Sequence, residues 1–351
     1  MLSYTAIGIM SGTSLDGLDI VLCEFTYNKQ WNFNILKSET FEYSKEWNKT
    51  LSNAPNLDGY NLFKLHKTYG QLIGEKANLF LQNINTKIDL IGSHGHTIFH
   101  QPEKKLTLQI GDGFEIASIT GLTTISDFRS MDVALGGQGA PLVPIGDKLL
   151  FSDYDYCLNL GGFANISFED NNERLAFDIC PANIILNFLA GKSGQNYDKN
   201  GALGFLGKTN DELLERLNAL AYYHKKHPKS LGKEWLDKIF IPIIESSKIS
   251  VNDKLRTICE HIAQQISIAI KSADHSKTLI TGGGAYNKLL IHLIKQKVKS
   301  ELIIPDKNII EFKEALIFAF LGVLRLENQI NCLASVTGAN KDTSAGIIYQ
   351  S

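Results

Sequence analysis

Residues 5–25 read TAIGIMSGTSLDGLDIVLCEF, and residues 154–169 read YDYCLNLGGFANISFE. In each stretch, two short apolar runs flank a tip of small and polar residues. That pattern predicts a β-hairpin: strands over 5–10 and 18–25 around the tip 11–17, and over 154–160 and 166–169 around the tip 159–165. Working outward, each hairpin precedes a third strand, over 31–43 and 174–179. A helix follows each set, one over 61–83 with apolar residues at helical spacing. The other covers 181–190 and opens on Pro181, whose missing N–H costs nothing in a first turn. Strands over 88–91, 106–110 and 123–126 and a short helix over 114–120 complete the first half. The second half continues with a helix over 254–273, a strand over 278–281, a helix over 286–297, a strand over 301–304 and a nearly all-apolar helix over 313–327.

Two copies of a hairpin-led β-β-β-α-β-α plan predict an α/β protein with a duplicated fold and an interdomain cleft. The expected domains are 1–130 and 131–351. Residues 131–146 (MDVALGGQGAPLVPIG), punctuated by glycine and proline, are expected to carry the crossing between halves. Residues 196–233 read as an insertion over one face of the second domain.

Composition narrows the function classes. The 351 residues carry 35 Lys and Arg against 37 Asp and Glu, a formal charge of −2, which leaves no electrostatic footprint for nucleic acid or an anionic membrane. With 44% hydrophobic and 21% charged residues, the chain is globular rather than disordered. The five cysteines are scattered without a C-x-x-C pair, which argues against a disulfide framework or zinc site and for a reducing compartment. Asp16 and Asp19 interrupt the first apolar stretch, so it is no signal peptide. The longest apolar run, 315–324, is too short to span a bilayer. The expected location is the cytoplasm; a homodimer is one option the sequence leaves open.

The glycine clusters are where chemistry is expected. Phosphate approaches backbone most closely at glycine, and small hydroxyls add donors. Gly12, Thr13, Ser14, Leu15, Asp16 and Gly17 supply both, and the Asp16 carboxylate suits a magnesium ion. A solvated hairpin loop is the alternative. Gly161 and Gly162, with Asn165, form a second such tip. Gly282, Gly283 and Gly284, between a strand and a helix, suit a nucleoside or phosphate, or tight helix packing. No Walker A sequence is present: Gly191-Lys192-Ser193 lacks the glycine five positions earlier, where Leu186 stands. No G-x-G-x-x-G follows the first strand.

Asp178 is the leading catalytic candidate, expected at a strand end before a helix whose N–H groups keep it ionised. The alternative is a plain helix cap. Asp127 and Arg129 end the last strand of the first half. Arg129 suits a carboxylate or phosphate through its planar fork, or an ion pair with Asp127 or Asp132. His94 and His96, after a strand, lack a third metal ligand and suit a sugar-facing or structural role.

Taken in order, 7–19 (IGIMSGTSLDGLD), 92–100 (GSHGHTIFH), 108–113 (LQIGDG), 127–144 (DFRSMDVALGGQGAPLVP), 158–167 (LNLGGFANIS), 197–204 (YDKNGALG) and 281–287 (TGGGAYN) resemble the anhydro-N-acetylmuramic acid kinase family. The resemblance implies a duplicated ribonuclease H-like fold of the actin and sugar-kinase type, with ATP and Mg2+ at the glycine tips. It implies a small amino-sugar substrate, 1,6-anhydro-N-acetylmuramic acid, opened by water and phosphorylated at O6 for cell-wall recycling. Asp178 falls on the family's catalytic base, and His96, Asp127, Arg129 and Asn183 are the expected sugar contacts. One departure stands out: where the family reads F-D-T-G-P-G-N, this chain reads FDICPAN over 177–183, with Cys180 and Ala182 replacing glycines. A catalytically weakened sugar or nucleotide sensor is therefore the alternative function.

Overall fold

The computed structural model describes residues 2–12, 15–270 and 275–351. The chain forms two compact units, 1–150 with 312–351, and 151–311. In the first, β1 (Leu2–Ser11), β2 (Gly17–Asn28) and β3 (Gln30–Glu42) run antiparallel in sequence. On the other side of β1 lie β4 (Leu90–Gln101) and then β6 (Thr124–Ser126), both parallel to it. β5 (Leu106–Ile110) folds back on β4.

The second unit repeats the plan. β7 (Tyr156–Leu160), β8 (Phe163–Asp170) and β9 (Glu173–Pro181) are antiparallel neighbours. β10 (Lys277–Thr281) and β11 (Glu301–Ile303) extend from β7 in parallel. In both sheets the leading strand is internal, its hairpin partners lie on one side and at least two later strands on the other. That shared order is the ribonuclease H-like topology, and it makes the fold a duplication. Each sheet packs its own core: Ile7, Ile9, Ile20, Tyr69 and Ile73 in the first, Leu158, Ile166, Leu186, Ile258 and Leu289 in the second.

The boundary differs from the expected 130/131. Residues 131–146 carry no crossing: they hold the short helix Ser130–Ala134 and enter the helix Val143–Leu150, both in the first unit. The chain also returns to that unit at Phe312. The return is driven by burial. The helix Lys307–Leu326 lies so close to β1 and β4 that a Cβ on Gly8 would sit 1.8 Å from the Ala315 carbonyl oxygen, and one on Gly92 2.2 Å from that of Phe318. Beyond it, β12 (Ile347–Tyr349) pairs antiparallel with β6. An apolar helix that covers a sheet from a distant part of the chain cannot be assigned to its unit by position in sequence.

Other expectations shift locally. β4 runs through His94 and His96 rather than ending before them. Asn165 lies within β8, not at the tip. Pro181 ends β9, and the helix begins at Asn183. The insertion does more than cover a face, since Leu213 and Leu217 of its helix Asp211–Asn218 enter the second core. All five cysteines are buried thiols. No described helix is long and apolar enough to cross a membrane.

Candidate active site

Asp178 lies half-buried in β9, opposite Asn165 of β8. Its Oδ2 accepts a 2.8 Å hydrogen bond from the Leu231 amide. Among the described residues nothing donates to Oδ1. Burial raises the carboxyl above the usual aspartate range, and the Leu231 amide opposes that rise. Both expectations for its surroundings are thereby corrected. Asp178 caps no helix, because Ala182 precedes the helix Asn183–Gly191 and no side chain caps it. Nor do that helix's first amides support the carboxylate. Those of Ala182 and Ile184 donate to the Gly162 carbonyl at 2.8 and 3.2 Å, and that of Asn183 donates to Gly161 at 3.1 Å. The β7–β8 tip is the cap.

The departures at Cys180 and Ala182 face inward. Both side chains are fully buried in the second core, so they alter packing behind the strand rather than the surface Asp178 presents.

The glycine loop after β10 is built for close approach. Gly282 has φ +80°, and a Cβ there would lie 2.5 Å from Asn159 Oδ1 and 2.8 Å from the Leu160 carbonyl. Gly284 is equally tight, at 2.6 Å from Leu160 Cβ. Gly162 differs, since its nearest neighbour would be Ile184 Cβ at 3.8 Å. Asn183, expected at the sugar, stands beside this loop and is tied to the end of β7: its Nδ2 donates 2.8 Å to the Leu160 carbonyl. A cavity of about 460 Å³ opens beside it, lined by Asn183, Asn187, Tyr197, Gly283, Tyr286 and Asn287 among others. Sequence reading missed Tyr197 and Tyr286, although both stand within quoted motifs. Nothing in a single tyrosine's spacing shows that two distant segments face one cavity.

In the first unit, the root of the hairpin is tied down. Buried Ser11 lies 2.9 Å from His96 Nδ1 and 2.8 Å from the Tyr43 hydroxyl, which is itself 2.5 Å from the Tyr69 hydroxyl. Burial lowers the His96 pKa, so the ring is neutral and serves this network. Gly17 is required by packing, since a Cβ would meet the Phe41 carbonyl oxygen at 2.7 Å. Leu15 takes φ 61° and its amide reaches the Gly12 carbonyl at 3.4 Å. Thr13 and Ser14 lie outside the described residues. Asp16 is exposed beside them. Magnesium on a polyphosphate draws most ligands from phosphate and water and only one or two from carboxylates, a demand Asp16 fits. No group of three or more His, Cys, Asp or Glu that could hold a metal occurs among the described residues.

Arg129 has neither expected partner. Its Nε and Nη2 donate to His94 Nε2 at 3.0 and 2.8 Å, and Nη1 donates to the Gly139 carbonyl at 2.8 Å. Asp127 Oδ1 instead accepts from the Ser130 amide at 3.2 Å, and Asp132 accepts from the Gly139 amide at 2.7 Å. The fork that suits a free carboxylate is occupied in holding the loop 136–139 against β4. Burial lowers Arg129 to about 10 and drives His94 well below its usual value, so His94 is the neutral acceptor. The negative charge of Glu314 opposes that lowering of Arg129. Sequence reading passed over Glu314 inside an apolar helix; the charged Lys313-Glu314 pair within that helix was the available signal.

Residues 4–351 match the family described as anhydro-N-acetylmuramic acid kinase. The chain is 34% identical over 373 residues to the anhydro-N-acetylmuramic acid kinase of Mannheimia succiniciproducens, covering 99% of this chain and all of that one. Against those of Vibrio vulnificus (strain CMCP6) and Sulfurimonas denitrificans, identity is 33% and 31%, with 98% of this chain covered and 97% and 99% of the relatives. A match of that extent, across both units and every glycine loop described above, shows that the chain belongs to the anhydro-N-acetylmuramic acid kinase family.

Proposed function

We propose that the protein is an ATP-dependent kinase that opens 1,6-anhydro-N-acetylmuramic acid with water and phosphorylates the freed O6. The products are N-acetylmuramate 6-phosphate and ADP, in the cytoplasmic recycling of cell-wall sugars. The end-to-end match to relatives of that name carries the reading. The chemistry of Asp178 supports it: one anchored oxygen, one oxygen without a donor among the described residues, and a carboxyl raised by burial suit a general base.

In this reading Asp178 Oδ1 takes a proton from water as the water oxygen bonds to the anomeric carbon. The bond from that carbon to O6 breaks, and O6 accepts the γ-phosphoryl group. Amides of the 12–17 tip meet the charge on the transferred group. Asp16 would hold magnesium, which would supply charge neutralisation on the phosphates. Gly161, Gly162 and Gly282–Gly284 receive the nucleotide, and the cavity between Tyr197 and Tyr286 has the size and polarity of a nucleoside site. His96 and Arg129 act on the sugar side indirectly, by holding the hairpin root and the 136–139 loop. The buried orientation of Cys180 and Ala182 gives no support to a weakened sensor.

A coupled ADP-release assay tests the proposal. ADP should form with 1,6-anhydro-N-acetylmuramic acid and not with N-acetylglucosamine or glucose. No ADP above background with any sugar would overturn the kinase and favour the sensor.

A further inference from the structure

The insertion 196–233 meets β9 at Asp178. The Tyr222 hydroxyl donates 2.6 Å to the Asp178 carbonyl, the Asp178 amide donates 3.2 Å to the Lys229 carbonyl, and the Leu231 amide donates 2.8 Å to Oδ2. One segment thus grips the peptide on both sides of Asp178 and one of its carboxylate oxygens. The preceding residue is clamped as well. The Phe177 ring stacks on His227 at 5.6 Å and 10°, and the Lys229 ammonium lies 5.5 Å from the Phe177 ring and 4.8 Å from that of Tyr222. The sheet needs this help here, because the β8–β9 ladder slips register between Ala164 and Asn165, next to the Asp178 pairing. A bulge re-aims side chains and leaves the local ladder incomplete.

We propose that the segment from Tyr222 to Leu231 is the positioning element of Asp178, fixing one carboxylate oxygen so that the other faces the attacking water. The proposal rests on the reading of Asp178 as the base. Tyr222 and the Leu231 amide are its positioning groups; neither touches the reacting atoms. The Leu231 amide also holds the carboxylate in its charged form, because a donor to the ionised oxygen opposes the effect of burial.

Two variants of the full chain test this by pH-resolved ADP release with the anhydro sugar. Leu231→Pro removes the donor to Oδ2, so the acid limb of the kcat/KM profile should move up by about one pH unit. Tyr222→Phe removes one oxygen and keeps the ring contacts. It should lower kcat by about tenfold or more through misplacement of the base, with the KM for ATP within about twofold. A purely structural tyrosine would change the melting temperature without that kcat-against-KM split. Should Leu231→Pro fail to fold, Tyr222→Phe decides. An unmoved acid limb together with a wild-type kcat in Tyr222→Phe overturns the proposal. Failure of the underlying reading looks different: Asp178→Asn would itself retain near-normal turnover.

Discussion

Replacing Asp178 with asparagine separates chemistry from architecture. Asparagine has the same size, and its Oδ1 can accept the Leu231 amide that lies 2.8 Å from Asp178 Oδ2. What disappears is the charge and the capacity to take a proton. Turnover should fall by about 10²–10⁴-fold, the contribution of a positioned base, while ATP binding measured by calorimetry persists. Exchanging a charged for a neutral acceptor should cost about 1 kcal/mol or less. The pH dependence carries the sharper statement. Burial raises the Asp178 carboxyl in the folded chain, so the folded state holds that proton more tightly than the unfolded state does. Its contribution to stability is full below the unfolded aspartate pKa of about 3.9 and is lost as pH rises through the native value. Asparagine has no such dependence. The stability of the variant relative to wild type should therefore increase from pH 4 upward and level off above the native pKa. Chemical denaturation at pH 4 and pH 8, beside the ADP-release assay at pH 8, measures both effects. Near-normal turnover would refute the general base, and a relative stability that falls with rising pH would refute the buried carboxyl.

Gly162→Ala and Gly282→Ala form a contrasting pair. The first meets nothing closer than 3.8 Å, so stability should hold within about 0.5 kcal/mol and any loss of ATP affinity by calorimetry reports a ligand at the tip. The second forces a Cβ to 2.5 Å from Asn159 Oδ1 at φ +80° and should destabilise by about 1–3 kcal/mol in urea. Arg129→Ala strips donors from His94 and the Gly139 carbonyl, and should cost about 2–3 kcal/mol in denaturation. Arg129→Lys should not restore it, since a single ammonium cannot reproduce the fork. Gly8→Ala should lower the melting temperature steeply or abolish soluble expression, because the added methyl overlaps the Ala315 backbone.

The architecture was legible because its signals are local. The alternating runs around 11–17 and around Gly161 and Gly162 are β1–β2 and β7–β8, and the apolar spacing over 61–83 is the helix Gly59–Phe80. Repetition of the same order in two halves exposes a duplicated fold without any structure. Asp178, Arg129 and the glycine clusters were identifiable as residue types suited to a task, and the order of the motifs identified the family.

Partners were not legible, because a partner is decided by whichever distant segment arrives beside a side chain. Asp178 before Pro181 has the local look of a helix cap, yet β9 continues to Pro181 and the Gly161 and Gly162 carbonyls cap the helix instead. Arg129 between two aspartates looks like an ion pair, yet the β4 strand brings His94 to it. An apolar helix over 313–327 announces burial but not beneath which sheet, and only the fit of its backbone against Gly8 and Gly92 assigns it to the first unit. By itself the sequence determined the main elements and their duplicated order, and it singled out residues whose types suit the proposed chemistry. Tertiary structure decided protonation, anchoring and hydrogen-bond partners, since desolvation and hydrogen bonding act through space and not along the chain.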